Sequence, residues 1–406
     1  MVGAMVSFGQ LTLIILAGLL GPLLASSRRV LIPVVVGELL AGVALGKTGA
    51  GLIKADNPTI AFLGTMGFAV LMMVAGMHVP LRNPALVKSL RRGTMAVLAS
   101  VVVGVAGGVL IARGLGVGHP AIWAVLLATG SAAIVLPALQ EAGVGADRAL
   151  LAMAWATVAD VATIVAVPLV MNPSKALSAG LGALVVAAAA LVVLIVARAV
   201  QREGEVRNLR RQSGRKTWAL DLRFALIALF GLCAVAEGVG TNIMIAGFAA
   251  GLLVAYEGGP ARLSDQVSGV GAGFLVPVFF VVLGASLNVR ALVRSPTELE
   301  LTATLIAGIV VAHLIGARAV RAPVWTGLIV SAQLGVPAAV VKLGLSSHVL
   351  QAGEGAAISV AALASLGICS IGTALAARTT PHAPAPAPPQ PGSEPAPSVS
   401  VSTPMK

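Results

Sequence analysis

Charge and aromatic surface are what this sequence lacks. Only 10% of its 406 residues are Asp, Glu, Lys or Arg, only 3% are aromatic, and there is a single tyrosine. A soluble chain of this length needs far more polar surface to stay dispersed, and nucleic-acid binding is disfavoured because aromatic residues are few and the basic residues sit in short clusters between apolar runs. The two cysteines, Cys233 and Cys369, stand in apolar stretches where a thiol behaves as a small hydrophobe, so they outline neither a disulfide framework nor a metal site. No zinc-ligand spacing and no catalytic-triad pattern is present, which argues against an enzyme and against a resident cofactor. What the chain does have is 58% hydrophobic residues and a mean hydropathy of +0.98, a composition that belongs in a bilayer.

A helix needs about 20 apolar residues to cross a membrane. Thirteen segments approach that length, with limits near 7–26, 30–46, 59–78, 93–113, 119–140, 148–171, 177–198, 218–237, 241–256, 266–288, 298–317, 320–343 and 354–376. The first run, Phe8 to Leu24, has no Lys or Arg ahead of it and is read as a retained span rather than a secretory signal. The formal net charge of +12 sits in short clusters between spans, as polytopic topology requires. With the N-terminus outside, 20 of the 27 Lys and Arg fall on the cytoplasmic side and seven on the outer side, so the positive-inside rule favours N-out and C-in.

The longest hydrophilic connection, "QREGEVRNLRRQSGRKTW", follows the seventh span and divides the chain into six spans, a linker span and six spans. Such a separation inverts the second half relative to the first, an inverted-repeat transporter architecture. The expected fold is therefore an all-α polytopic membrane protein of about thirteen helices in two inverted repeats. Residues 1–378 form the membrane domain, and the Pro/Ala-rich 379–406 is expected to be a disordered cytoplasmic tail.

One carboxylate stands out. In "WATVADVATI", Asp160 lies near the middle of a run from Ala149 to Ser174 that holds no other charged residue. A mid-span acid costs a few kcal/mol to insert and faces a partner or a water-filled cavity. It is either a packing acid hydrogen-bonded to a neighbouring span, or a binding carboxylate for a proton or a small cation. The two halves favour binding. The fifth span carries Gly130 and Pro137, the twelfth carries Gly335 and Pro337, and each is the fifth segment of its six-span half. Matched Gly/Pro interruptions mark two discontinuous helices crossing at the midplane, where half-helix ends offer backbone groups to an ion. Thr129 and Ser131 flank the first break and offer oxygens, or serve only as backbone-bonding residues. Glu38, a second intramembrane acid, is expected to be structural or interfacial.

At this point the chain resembles the monovalent cation/proton antiporters, which share the inverted-repeat fold of bacterial sodium/proton antiporters. The resemblance covers Ile32 to about Leu375. It rests on "IPVVVGELLAGVALG" (Ile32–Gly46), "LGTMGFAVLMMVAGMHV" (Leu63–Val79), "ATGSAAIVLPALQEAGV" (Ala128–Val144), "ADVATI" (Ala159–Ile164), "IAGFAAGLLVA" (Ile245–Ala255) and "FLVPVFFVVLGASLNV" (Phe274–Val289).

The resemblance implies exchange of Na⁺ or K⁺ for H⁺ by alternating access in a multi-pass protein of a prokaryotic plasma membrane, assembled as a homodimer. Asp160 matches the family's essential aspartate and would be the ligand of the transported metal ion. The preceding residue, often Asp, Asn or Gln in relatives, is Ala159 here, which implies one proton against one cation and electroneutral exchange. A Lys in a K-x-x-G pattern is replaced by "HLIG", placing His313 where a proton partner is expected, since imidazole titrates near physiological pH. The Gly-Glu found at the second crossover of many relatives is replaced by Gln333, Leu334 and Gly335, with no acid. These departures leave open a sodium-coupled symporter of organic anions, or a non-exchanging sensor, on the same fold.

Overall fold

A computed structural model describes residues 7–26, 34–77, 84–142, 144, 146–171, 176–202, 218–257 and 261–379. In a bilayer the backbone finds no polar partner but itself, and every regular element among the described residues is helical. In order these are α1 Phe8–Gly18, α2 Leu20–Ala25, α3 Val34–Leu45, α4 Pro58–Met77, α5 Pro84–Gly114, α6 Pro120–Ala128, α7 Ala132–Glu141, α8 Ala146–Met171 and α9 Ala176–Arg202. There follow α10 Leu220–Gly238, α11 Ile243–Glu257, α12 Ala261–Val270, α13 Val276–Ser286, α14 Val289–Arg294, α15 Pro296–Ala319, α16 Val324–Val330, α17 Gly335–Ser346 and α18 Ala352–Thr379. A π-helical turn, Gly271–Leu275, joins α12 to α13 within the tenth expected span.

Nine segments among the described residues are long and apolar enough to cross a membrane. The other four expected spans are present as helices that fall short for visible reasons. Val34–Leu45 and Ile243–Glu257 are short, Leu220–Gly238 carries Asp221, Arg223 and Glu237, and the fifth span is broken between α6 and α7. The basic connection at 203–217 and the expected tail beyond Thr379 lie outside the described residues.

The helices pack in two groups. In one, α3 and α4 close against α13, and α4 against α11. Here a Cβ on Gly251 would collide with the Met73 carbonyl, and one on Gly284 with that of Leu39. In the other, α5 contacts α6, α8 and α15, while α18 lies along α15 and α16. Lipid gives apolar side chains no reason to leave it, so association depends on such close backbone approach and on interhelical polar contacts. Ser100 of α5, for example, donates to the Ala312 carbonyl of α15 at 3.1 Å, and a Cβ on the adjoining Gly316 would stand 2.5 Å from that hydroxyl. Cys233 and Cys369 are buried and form no disulfide among the described residues.

Candidate functional site around Asp160

Both Gly/Pro-marked spans are discontinuous. α6 ends at Ala128, Thr129 is extended (φ −77°, ψ 150°), and α7 begins at Ala132. Ser131 opens α7 through its carbonyl, which accepts from the Ile134 and Val135 N–H groups at 3.1 and 3.0 Å. In the twelfth span α16 ends at Val330 and α17 begins at Gly335, leaving 331–334 outside either helix. The unwound stretches pass against each other. A Cβ on Gly130 would stand 2.8 Å from the Val330 carbonyl oxygen, so glycine is what lets the two backbones meet. Pro337 is the third residue of α17, where an N–H has no intrahelical partner to lose. Pro137 lies inside α7, past the break rather than in it.

The break in the fifth span exposes two bare helix ends in an apolar interior, and each end must be answered. Asp160 of α8, 4% exposed, answers one: its Oδ2 accepts from the Ala132 N–H at 3.0 Å, at the positive end of α7. Gln333, 1% exposed, answers the other: its Nε2 donates to the Leu126 and Thr129 carbonyls at 2.7 and 3.1 Å, the negative end of α6. The Gln333 backbone N–H donates to Ser365 Oγ of α18 at 3.0 Å, which fixes the second break to a continuous helix. The Thr129 and Thr163 hydroxyls share a hydrogen bond of 3.0 Å, and Thr163 also donates back to the Ala159 carbonyl at 2.7 Å. Ser131 is buried beside them.

The crossing therefore gathers Asp160, Thr129, Ser131, Gly130, Gln333 and Gly335, as the sequence suggested. It adds two groups that sequence reasoning missed, the Thr163 hydroxyl and the Ala132 N–H. Thr163 is three residues from Asp160 on one helix, a spacing that signals adjacency; a backbone N–H leaves no sequence signal. A carboxylate, hydroxyls and freed carbonyls are hard oxygen donors, suited to holding a small hard cation or a proton.

His313, the expected proton partner, lies beside the first break, near the Thr129 backbone. It is fully buried, its Nδ1 lies 2.8 Å from the Ile309 carbonyl, and its ring stacks on Trp155 with centroids 5.6 Å apart. No hydrogen bond or ion pair joins it to Asp160; its Nε2 makes no well-formed hydrogen bond among the described residues, although the Thr129 backbone lies close enough to act on the ring. The α15 backbone decides this: His313 bonds one turn back along its own helix, which points the ring at Trp155. Glu38 of α3 is buried against Gly21 of α2, remote in sequence from the breaks, and its Oε2 has no hydrogen-bond partner among the described residues.

Residues 13–379 match the family described as "Sodium/hydrogen exchanger, transmembrane". The chain is 25% identical over 383 residues to "Putative Na(+)/H(+) antiporter YjbQ" of Bacillus subtilis (strain 168), covering 89% of this chain and 62% of that protein, so it spans under two thirds of that relative's length. It is 25% identical over 315 residues to "Glutathione-regulated potassium-efflux system protein KefC" of Salmonella typhimurium, covering 75% of this chain and 47% of that one. Its fold is similar to that of the sodium proton antiporter MjNhaP1 from Methanocaldococcus jannaschii, with a TM-score of 0.56 and 16% identity over 91% of this chain and 95% of that one. A polytopic membrane protein whose family match runs through both broken helices and Asp160, this chain belongs to the sodium/hydrogen exchanger transmembrane family.

Proposed function

We propose that the chain is a secondary transporter that exchanges a monovalent cation, Na⁺ or K⁺, for H⁺ by alternating access, with Asp160 as the one group both substrates use. The observation that carries this is a buried carboxylate at the crossing of two broken helices, held by a backbone N–H and by no Lys, Arg or His among the described residues. A structural acid in lipid would be expected to pair with a basic or amide side chain. Asp160 keeps its second oxygen for something that comes and goes.

The cycle is competition. Protonated Asp160 is neutral, cation-loaded Asp160 is also neutralised, and the bare anion is held back by the cost of burying an unpaired charge. Only the two loaded forms reorient, and that restriction couples the flows. With Ala159 beside it, one carboxylate carries one proton against one cation, so exchange is electroneutral. Relatives named for sodium and for potassium both support a monovalent cation as cargo, and Thr129, Ser131 and Thr163 are the additional oxygen donors. We place the N-terminus outside and the C-terminus in the cytoplasm from the distribution of Lys and Arg, in a prokaryotic plasma membrane, with the protein working as a homodimer.

The test is purified full-length protein in proteoliposomes with an acid interior and a trapped pH dye. Adding Na⁺ or K⁺ outside alkalinises the interior with wild-type protein. An unchanged pH across the whole alkali series, from protein shown to be folded and inserted, would sink the proposal and favour a symporter or a non-exchanging sensor. Cation-dependent currents on a supported membrane, large relative to the exchange rate, would refute electroneutrality alone.

A further inference from the structure

Lys342 is a charged residue that the exchange cycle leaves unused. From sequence it belongs to the outer end of the twelfth span. In the structure it is half-buried in α17 and reaches across to α4, where its Nζ donates to Thr65 Oγ1 at 2.9 Å and lies 4.9 Å from the centre of the Phe68 ring. A hydroxyl oxygen and an aromatic face are the contacts that a partly dehydrated alkali cation also makes. The ammonium sits in a cavity of about 450 Å³ lined by Thr65 and Phe68 of α4, Pro168 and Met171 of α8, and Asn242 before α11. No acidic side chain lines it among the described residues, so the charge of Lys342 is not compensated there.

Two helices of the crossing, α8 and α17, also line the cavity. Pro168 and Met171 follow Asp160 by 8 and 11 residues on α8, spacings that keep them on its face, and Lys342 follows Gly335 by seven residues, two turns along α17. Phe68, a wall of the cavity, packs on Phe279 with ring centres 5.3 Å apart, and Met72, one turn further along α4, has a methyl that would stand 2.8 Å from a Cβ on Gly335. The seam between α4 and α11 on one side and α8 and α17 on the other runs through the cavity.

From these contacts we propose that this cavity is a vestibule site for the transported monovalent cation, and that the Lys342 ammonium is a tethered competitor for it. On the proposed topology the vestibule opens to the outer face. The inference rests on exchange at Asp160 and adds a determinant of its sidedness. A cation approaching from this side must displace the ammonium from Thr65 and Phe68 and pass its field, whereas one approaching from the other side does not. A fixed charge a few ångströms from a partly solvated ion raises the apparent KM by about three- to tenfold. Lys342 thus weakens uptake of cation on one face and leaves the other face free of that penalty.

The test measures apparent KM for Na⁺ and K⁺ on each face separately, in right-side-out and everted vesicles carrying full-length wild-type, Lys342→Met or Lys342→Arg protein. The expected result is a KM about three- to tenfold lower on the outer face for Lys342→Met, no change on the inner face, and Lys342→Arg within about twofold of wild type on both. If Lys342→Met fails to insert, Lys342→Gln, uncharged and polar, gives the same one-sided shift. An unchanged outer KM, an equal shift on both faces, or the same effect from Lys342→Arg overturns the proposal, the last because lost shape rather than lost charge would then be responsible. Absence of Asp160-dependent exchange in the wild type would instead refute the function assigned to the crossing.

Discussion

The side-chain amide of Gln333 lies 2.7 Å from the carbonyl oxygen of Leu126, a residue 207 positions away in the chain. This contact ties the break in the twelfth span to the end of α6, and a second donation to Thr129 at 3.1 Å completes it. The group is a neutral donor, matched to the negative end of a helix. It holds the carbonyls of the first break without adding a charge to the site.

Gln333→Leu removes that donor and leaves two buried carbonyls facing an apolar side chain. The loss is expected at about 1–3 kcal/mol of stability, with exchange reduced more than insertion. Thermal unfolding of the detergent-solubilised protein beside the vesicle pH assay checks both. Wild-type unfolding in Gln333→Leu would mean that the carbonyls find other partners.

Asp160→Asn keeps an oxygen able to accept from the Ala132 N–H, so the crossing stays assembled and the unfolding temperature changes little. What the amide loses is the capacity to take up a proton or to neutralise a cation. Exchange is expected to fall to background while the protein still reaches the membrane, and stabilisation by added Na⁺ or K⁺ disappears with it. Full proton-coupled exchange by this variant in vesicles would contradict the cycle.

Thr163→Val deletes the hydroxyl that bridges Thr129 and the Ala159 carbonyl, at 3.0 and 2.7 Å. The Thr129 hydroxyl is left without that partner, and a cation loses a flexible pair of oxygen donors beside Asp160. The expected effect is a several-fold rise in cation KM with about 1 kcal/mol of destabilisation. Thr163→Ser restores both, and a KM that Thr163→Val leaves untouched would remove Thr163 from the site.

Competition at one carboxylate has a signed dependence on pH. A proton taken up by Asp160 blocks the cation, so apparent cation KM rises as pH falls, by up to about tenfold per pH unit where the protonated form dominates. At saturating cation the proton is displaced and that inhibition is relieved. Initial rates across a pH and cation grid distinguish this from a separate pH sensor, which would lower the maximal rate with KM constant.

Hydropathy located thirteen apolar segments, and the Gly/Pro pairs 130/137 and 335/337 identified which two spans are broken, because a helix in lipid shows its interruptions as residues that tolerate them. The point of unwinding was less legible. It falls at 129–131, with Pro137 already inside α7, and at 331–334, with Gly335 starting α17. Glycine permits the close pass at the crossing and proline is accommodated in the helix that follows, so neither marks the unwound residues themselves.

From its own order of residues the chain settled that it lives in a membrane, that it is helical, and that one acid stands in the sixth span near the broken fifth. Each of these follows from composition and spacing within a single helix. Tertiary structure alone decided that Asp160 binds the Ala132 N–H, that Gln333 serves the first break from the second, that His313 turns to Trp155, and that Lys342 reaches Thr65, 277 positions away. Those are meetings between helix ends and side chains of different spans, and the direction of a side chain is set by how neighbouring helices pack, which periodicity along one helix does not encode.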